Sequence, residues 1–184
     1  MTVIDIIKQA STLSGREDVV KYLTYDQPSS EDTLLAVDVM VRLINMVVSE
    51  LSASFLPLIT EQTINATEII RYSDLEKNAI EILNVYDING DEVPFTVYYD
   101  SVKISRPCNK IKYKYTHSTY TLNDSLDYTD KDISSAVLAY GLAAEFALSE
   151  GDFERACTMH ERYVEGVSAI FKPKNKCVKA REWQ

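Results

Sequence analysis

The sequence predicts an α+β protein with a helical body, an inserted Tyr-rich antiparallel β region and an extended C-terminal tail. Apolar residues recur every three to four positions before residue 57 and after residue 129, which is typical of amphipathic helices. Between residues 63 and 128 the chain is instead rich in Tyr, Val, Ile and Thr, which favour strands. We therefore predict N-terminal helices over 1–57, a β region over 58–128, a helical hairpin over 129–171 and a basic tail over 172–184.

The N-terminal segment predicts three helices. The stretch STLSGREDVVKYL indicates two short helices separated near Gly15. A longer helix over 33–55 follows, with Ser30 as a candidate N-cap and Pro57 as a stop signal. Its apolar positions fall on one helical face, namely Val37, Met40, Val41, Ile44, Val47, Val48, Leu51 and Phe55.

The stretch AIEILNVYDINGDEVPFTVYY predicts a β-hairpin, because Asn89-Gly90 tolerates the positive φ angles of a tight turn. Closing the turn there predicts three cross-strand pairs: Tyr86 with Val93, Ile82 with Val97, and Ile80 with Tyr99. Pro94 cannot donate to a strand ladder and indicates a strand exposed on one side.

The stretch KIKYKYT predicts a half-buried strand, because its residues alternate strictly between two faces. One face carries Ile111, Tyr113 and Tyr115, and the other carries Lys110, Lys112 and Lys114. Lysines and aromatic residues also interleave in single-strand nucleic-acid sites, but there the bases stack and pair with charge on one surface. The alternation therefore argues against nucleic-acid recognition here.

The last third predicts a helical hairpin. Thr129 and Asp132 have capping-box spacing, so we expect the first helix to run from there to about Ser149. A turn at Gly151-Asp152 leads to a second helix that Pro173 ends. The apolar stripe of this second helix is predicted to comprise Phe153, Ala156, Cys157, His160, Tyr163, Val164, Val167 and Phe171.

The first helix of this hairpin lies in AYGLAAEFALSEGDFERA and is apolar on several faces, so it needs cover on most sides. The helices over 153–171 and 33–55 are expected to cover two of them. A third side is covered either by the same chain or by a neighbouring copy, with Ala139, Tyr140, Ala143 and Ala147 as the candidate inter-subunit contact.

Charge and composition exclude several classes of function. With 28 acidic and 19 basic residues, the net charge of −9 argues against a general affinity for nucleic acid or anionic membranes. The apolar run 136–148 is too short to cross a membrane and contains Glu145. No secretion signal is expected, and the three scattered cysteines favour free thiols over a disulfide framework.

No catalytic, metal or cofactor site is predicted. Five scattered glycines exclude a phosphate-binding loop or a serine-hydrolase elbow. His117 is interpreted as closing a strand, and His160 as a core or interface residue. The stretch DINGDE lacks the glycine spacing of a calcium loop. The acids Asp124, Asp127, Asp130 and Asp132 are interpreted as a solvated loop before a helix N-terminus, with a cation site as the alternative.

The tail KPKNKCVKAREWQ has five basic residues and one acidic residue. It is either a solvated chain end or a docking strap. Its single tryptophan, Trp183, lies near Arg181, and both residue types are enriched in interface hot spots.

The order of these elements resembles the head-to-tail adaptor proteins of short-tailed bacteriophages, the tail tubular protein A type. The residues that carry the likeness are LDYTDKDISSAVLAYGLAAEFALSEGDFERACTMHERYVEGV at 127–168 and RLINMVVSEL at 42–51. The resemblance implies a non-enzymatic virion protein, made in the bacterial cytoplasm and placed at the head–tail junction. It also implies a homo-oligomeric, dodecameric ring beneath the portal, through which DNA passes during ejection without specific recognition.

The resemblance assigns roles to two further segments. The tail would dock on the portal protein through Lys172, Lys174, Lys176, Lys179, Arg181 and Trp183. The hairpin tip would face the next tail or nozzle protein through Asp87, Asn89, Gly90, Asp91 and Glu92. Two alternatives remain open: a cytosolic protein-binding or regulatory module that presents the hairpin, and an enzyme with a metal-dependent site on the acidic loop 124–132.

Overall fold

The computed structural model describes residues 1–25 and 30–171 and has an α+β fold with five helices and two small antiparallel sheets in that part of the chain. The described residues form two compact units. Unit 1 combines residues 1–44 with the residues from Leu122 onward, and unit 2 comprises Asn45–Thr121.

Unit 1 is helical. It contains α1 (Val3–Leu13), α2 (Glu17–Tyr25), the first part of α3 (Glu31–Ser54), α4 (Ser135–Ser149) and α5 (Phe153–Phe171). The predicted break between α1 and α2 is confirmed, because Gly15 adopts a φ of 74°, which favours glycine. Ser30 caps α3 as predicted, since its hydroxyl accepts a hydrogen bond from the Thr33 N–H at 3.2 Å.

Arg16 joins the ends of three helices in unit 1. Its guanidinium donates to both carboxylate oxygens of Asp18, at 3.0 and 2.9 Å, and lies 3.1 Å from the carboxylate of Asp32 and 3.5 Å from that of Glu150. The buried Thr33 hydroxyl donates to Asp18 at 2.8 Å. These bonds, above all the one from Arg16, hold the pKa of Asp18 well below its usual range.

Helix α4, which carries mostly small apolar residues, forms the core of unit 1. Its buried residues are Leu138, Ala139, Gly141, Leu142, Ala143, Ala144, Phe146 and Ala147. Its backbone lies close to α5, as expected, and also to α1, which was not anticipated as a neighbour. At Gly166 of α5 the approach is so close that an added Cβ would stand 2.6 Å from Cγ2 of Val137.

The start of α4 and the stripe of α5 differ from prediction. Both the N–H and the hydroxyl of Thr129 donate to the Asp132 carboxylate, at 2.9 and 2.8 Å, but they close a separate turn. The helix begins only at Ser135. On α5 only Ala156, Tyr163 and Val167 are buried, because the core reaches one narrow face of this helix. The other predicted stripe residues are exposed: Phe153, Cys157, His160, Val164 and Phe171.

Unit 2 contains the two antiparallel sheets. The first sheet has the order β1-β6-β3, formed by Ile59–Ala66, Cys108–Tyr115 and Ala79–Tyr86. The second has the order β2-β5-β4, formed by Ile69–Arg71, Ser101–Ile104 and Phe95–Val97. The strand predicted from KIKYKYT is confirmed as β6, with Ile111, Tyr113 and Tyr115 buried.

The predicted hairpin register is wrong beyond the turn. β3 pairs with β6, where Ile82 faces Tyr113 and Val85 faces Ile111. Next to the turn Tyr86 lies opposite Glu92, one residue away from the predicted partner. Because Pro94 has no N–H to donate, the ladder cannot continue through it, and Phe95–Val97 pairs with β5 instead.

Candidate functional site

The tip of the predicted hairpin, residues 87–92, is a turn closed by the side chain of Asp87. Its Oδ1 accepts hydrogen bonds from the N–H groups of Asn89, at 2.9 Å, and Asp91, at 3.0 Å. The backbone adds bonds from the Asp87 N–H to the Asp91 carbonyl and from the Gly90 N–H to the Asp87 carbonyl. Gly90 adopts a φ of 87°, as the predicted turn requires.

Arg106 fixes this hairpin tip from outside the turn. Its guanidinium lies 3.2 Å from Oδ2 of Asp87 and donates to the Glu92 carbonyl at 3.1 Å. The Asp87 side chain is only 12% exposed, so its carboxylate supports the turn and is not presented to a partner. This corrects the expectation that Asp87 faces the tail component, and the sequence pattern did not single out Arg106.

The hairpin tip presents an apolar side chain that the sequence analysis passed over. Ile88, in the turn, is 84% exposed. Asn89, Gly90, Asp91 and Glu92 are exposed beside it, as expected. A cavity of about 460 Å³ adjoins the tip, and its lining includes Ile88, Arg106, Ala66 and Pro107. The hairpin tip therefore offers one apolar projection next to one shallow groove.

A second turn of unit 2 exposes two aromatic residues. Between β4 and β5 the Tyr98 N–H donates to the Ser101 carbonyl at 2.8 Å, which closes a tight turn over Tyr99 and Asp100. Tyr98 is half exposed and Tyr99 is fully exposed. Exposed Tyr side chains offer a large contact area at a low cost in conformational entropy, which suits a binding surface.

A groove of about 590 Å³ in unit 2 contains a serine–histidine pair. His117 Nδ1 lies 2.7 Å from the Ser118 carbonyl, which can only accept, so the neutral ring carries its proton on Nδ1. Nε2 then accepts from the Ser49 hydroxyl at 2.9 Å. The ring stacks on Tyr120 at 4.8 Å. The sequence analysis did not connect these residues, which lie 68 positions apart.

The hydrogen bond between Ser49 and His117 is the contact that a nucleophilic serine makes with its general base. Acyl transfer also needs hydrogen-bond donors for the oxyanion that develops on the substrate. Ser49 lies inside α3, where the backbone N–H groups serve the helix. The nearby amide of Asn45 donates to the Tyr120 carbonyl at 3.0 Å. The arrangement therefore anchors the segment after β6 to α3, a positional role for both residues.

The remaining titratable residues form no metal site within residues 1–25 and 30–171. His160 is exposed on α5, so it is not a core residue, and its interpretation as an interface residue stays a prediction. In the acidic loop, the Asp132 carboxylate is engaged by Thr129. Burial raises the pKa of the Cys108 thiol, and Cys157 is exposed.

The lysine face of β6 is neutralised by glutamates on the neighbouring strands. Lys110 and Lys112 lie 3.2 and 3.4 Å from the carboxylate of Glu61, and Lys114 lies 2.6 Å from that of Glu81. Lys110, followed by Lys112, lowers the pKa of Glu61. Since the tyrosines of β6 are buried on the other face, this strand offers no surface that combines charge with stacking, as the alternation predicted.

The predicted inter-subunit contact on α4 lies mostly in the core. Ala139, Ala143 and Ala147 are buried within unit 1, and only Tyr140 is partly exposed, beside the guanidinium of Arg162. A neighbouring copy would reach these alanines only by displacing α1 or α5. The expectation is corrected: the small residues of α4 serve close packing inside the chain.

The predicted portal-docking residues Lys172, Lys174, Lys176, Lys179, Arg181 and Trp183 lie outside the described residues. Across the described part of the chain, none of the helices has the length and hydropathy needed to span a membrane. No protein-family model matches the sequence, and the comparison with curated proteins gives no match.

Proposed function

We propose that this protein is a structural adaptor subunit of a short-tailed bacteriophage, joining the portal to the tail at the head–tail junction. The observation that carries the proposal is that each compact unit exposes its own apolar surface. Unit 2 exposes Ile88 and Tyr99 on tight turns, and unit 1 exposes Leu35 of α3 and Phe153 of α5. A subunit that links two different partners needs separate contact surfaces of this kind.

In this proposal the chain forms a closed ring of identical subunits, a dodecamer in the adaptors that it resembles. Closed rings are built from heterologous contacts, in which one surface of a copy packs on a different surface of the next. Since the small residues of α4 are buried, we assign the ring contact to exposed side chains of unit 1, with Leu34 and Leu35 of α3 as candidates. The hairpin tip faces the tail component, and the basic tail 172–184 binds the portal.

The net charge of the chain supports this role. At −9, the protein repels the phosphates of a passing DNA duplex, so DNA slides through the ring and is not held by it. Binding of DNA during ejection would slow its exit. In this proposal the ring therefore works without specific recognition of DNA.

The proposal is tested by mixing the purified chain with the portal protein of the same phage and imaging the mixture and the native particle by electron microscopy. We expect a ring at the portal vertex and density for this chain between portal and tail. A chain that forms no complex with the portal and is missing from every particle would overturn the proposal. A small defined complex with a host protein would instead support the alternative of a regulatory binding module.

A further inference from the structure

Helix α5 carries an exposed apolar strip next to its buried face. Phe153, Val164 and Phe171 are 67%, 40% and 55% exposed, and Cys157 and His160 lie between them. The five positions recur every three to seven residues and fall within a narrow sector of the helix. We call these five residues the α5 strip. Its side chains are too many and too contiguous to be scattered surface residues.

One long edge of the α5 strip is acidic. Glu154, Glu161 and Glu165 are exposed and fall on the helical face beside the strip, on the side away from the buried residues. A ligand that covers the strip therefore meets apolar surface in the middle and carboxylates along one border. The matching ligand is basic and carries at least one large apolar group.

We propose that the α5 strip binds residues 172–184 of the same chain. This segment has five Lys and Arg residues, one Glu and the only tryptophan of the protein. Removing its net charge of +4 from the −9 of the whole chain leaves −13 for the rest. The acidic part of a second copy of the chain would be repelled by the carboxylates along the strip, whereas the basic segment 172–184 is attracted to them.

The segment is long enough to run along the whole strip. From Phe171 back to Cys157 the helix rises about 21 Å, at roughly 1.5 Å per residue. The six residues from Phe171 to Cys177 span about 20 Å when extended, at roughly 3.3 Å per residue. A segment that turns back at the end of α5 therefore brings Cys177 close to Cys157 and has enough chain left for Trp183 to pass Phe153.

Attachment to the end of α5 favours the chain's own segment over that of another molecule. A short tether gives an effective concentration of about millimolar, far above the micromolar concentration of a free protein. In the free protein, residues 172–184 therefore cover the α5 strip until a partner binds. This inference does not depend on the adaptor function, and its test needs only the full chain.

The two cysteines provide the test. In the Cys108→Ser variant, mild oxidation with diamide at micromolar protein and low salt is expected to join Cys157 to Cys177 within one molecule. The product is identified by faster migration on a non-reducing gel and by peptide mass mapping. The matched control moves the thiol by one residue, in Cys157→Ser/Thr158→Cys, to a position about 100° around the helix. We expect the control to cross-link at least about fivefold more slowly, because residue 158 points away from the strip.

A second comparison tests the acidic border. Glu161→Lys/Glu165→Lys is expected to slow the Cys157–Cys177 cross-link severalfold, as is raising the salt to about 1 M, where charges are screened beyond about 3 Å. Glu50→Lys, on the exposed face of α3, serves as the charge control and is expected to have no effect. Equal rates for residues 157 and 158, or cross-links formed mainly between molecules, would overturn the proposal.

Discussion

Arg16 shows how one side chain can organise several helix ends. It follows Gly15 directly and therefore stands at the turn between α1 and α2, where its guanidinium reaches Asp18 and Asp32 on the next two helices and Glu150 after α4. The contact with Asp18 is a planar, two-bond pair, the geometry in which Arg binds a carboxylate best. Asp18 in turn accepts from the buried hydroxyl of Thr33.

Replacing Asp18 by Asn should therefore destabilise unit 1 in a pH-dependent way. Because the folded-state pKa of Asp18 lies below its ordinary value of 3.8, its contribution is present above that pH and is lost as the pH falls through the folded-state value. At pH 7 we expect a loss of about 1 kcal/mol in the free energy of unfolding, since solvent screens this partly exposed pair. Urea titrations at pH 7, 5 and 3.5 should show a constant difference from the wild type down to pH 5 and a smaller one at pH 3.5.

Glu17→Gln is the matched control, because Glu17 is the preceding residue and is mostly exposed beside Lys21. We expect it to change the free energy of unfolding by less than about 0.5 kcal/mol at every pH. An Asp18→Asn variant as stable as the wild type at pH 7 would contradict the role given to the Arg16–Asp18 pair.

Asp87 and Asp91, two aspartates of the hairpin tip, predict outcomes of different size. Asp87→Ala removes the acceptor of two backbone N–H groups and the partner of Arg106, so we expect a loss of about 1–2 kcal/mol in the free energy of unfolding. Asp91→Ala removes an exposed side chain and should cost less than about 0.5 kcal/mol. Hydrogen exchange at the amides of residues 89 and 91 should be faster in the first variant only. Equal exchange in both variants would show that the turn does not depend on Asp87.

At the scale of elements, the close packing of α4 against α5 depends on Gly166. An added Cβ would meet the side chain of Val137, so Gly166→Ala should destabilise unit 1 even though alanine is the better helix former. Overpacking costs about 1–3 kcal/mol, against a gain of up to about 1 kcal/mol from helix propensity. Thermal unfolding should show a lower Tm.

Ser168→Ala lies two residues further along the exposed side of α5 and is the control for this substitution. It should leave Tm unchanged or raise it slightly, because the side chain is exposed and alanine favours the helix. A rise in Tm for Gly166→Ala would mean that Val137 moves aside without cost.

The elements were predictable where the signal is local. The break at Gly15, the cap at Ser30 and the alternation of β6 each depend on residues a few positions apart, and each is confirmed. The partner of β3 was not predictable from the turn alone. The turn forms as expected, but Pro94 ends the local pairing, and the strand that replaces it lies some 25 residues further along the chain.

The candidate site, too, could be predicted only where the signal is local. Glycine and acidic residues marked the hairpin tip, but neither the exposure of Ile88 nor the support from Arg106 follows from the turn pattern. The predicted stripe of α5 was too wide, because a helix pattern shows which residues are apolar and not how much of them the core can cover. Ser49 and His117 meet only because the fold joins α3 to the segment after β6.

At the scale of the whole molecule, each of the two units buries one set of apolar residues and exposes another. Unit 1 buries small residues of α4 for close packing and still exposes the α5 strip, whereas unit 2 exposes apolar residues both on its strands, such as Ile80 on β3, and at turns, such as Ile88. Turns held by side-chain bonds, such as that of Asp87 with Arg106, present their exposed residues in a fixed arrangement. A fixed projection binds with less loss of conformational entropy than a mobile loop.

The hairpin tip therefore gives a prediction for the assembled particle. Under the proposed function, Ile88→Asp should leave the fold and the binding to the portal unchanged, because the side chain is 84% exposed. It should weaken binding of the tail component by at least tenfold, since a carboxylate then replaces an apolar anchor at the centre of the contact. Particles carrying this variant are expected to hold the adaptor but lack the tail in electron micrographs.

The control is Ile80→Asp, which changes another exposed isoleucine of the same unit, on β3, and should give particles with tails. Tailed particles from both variants would show that the tail component binds elsewhere on the adaptor.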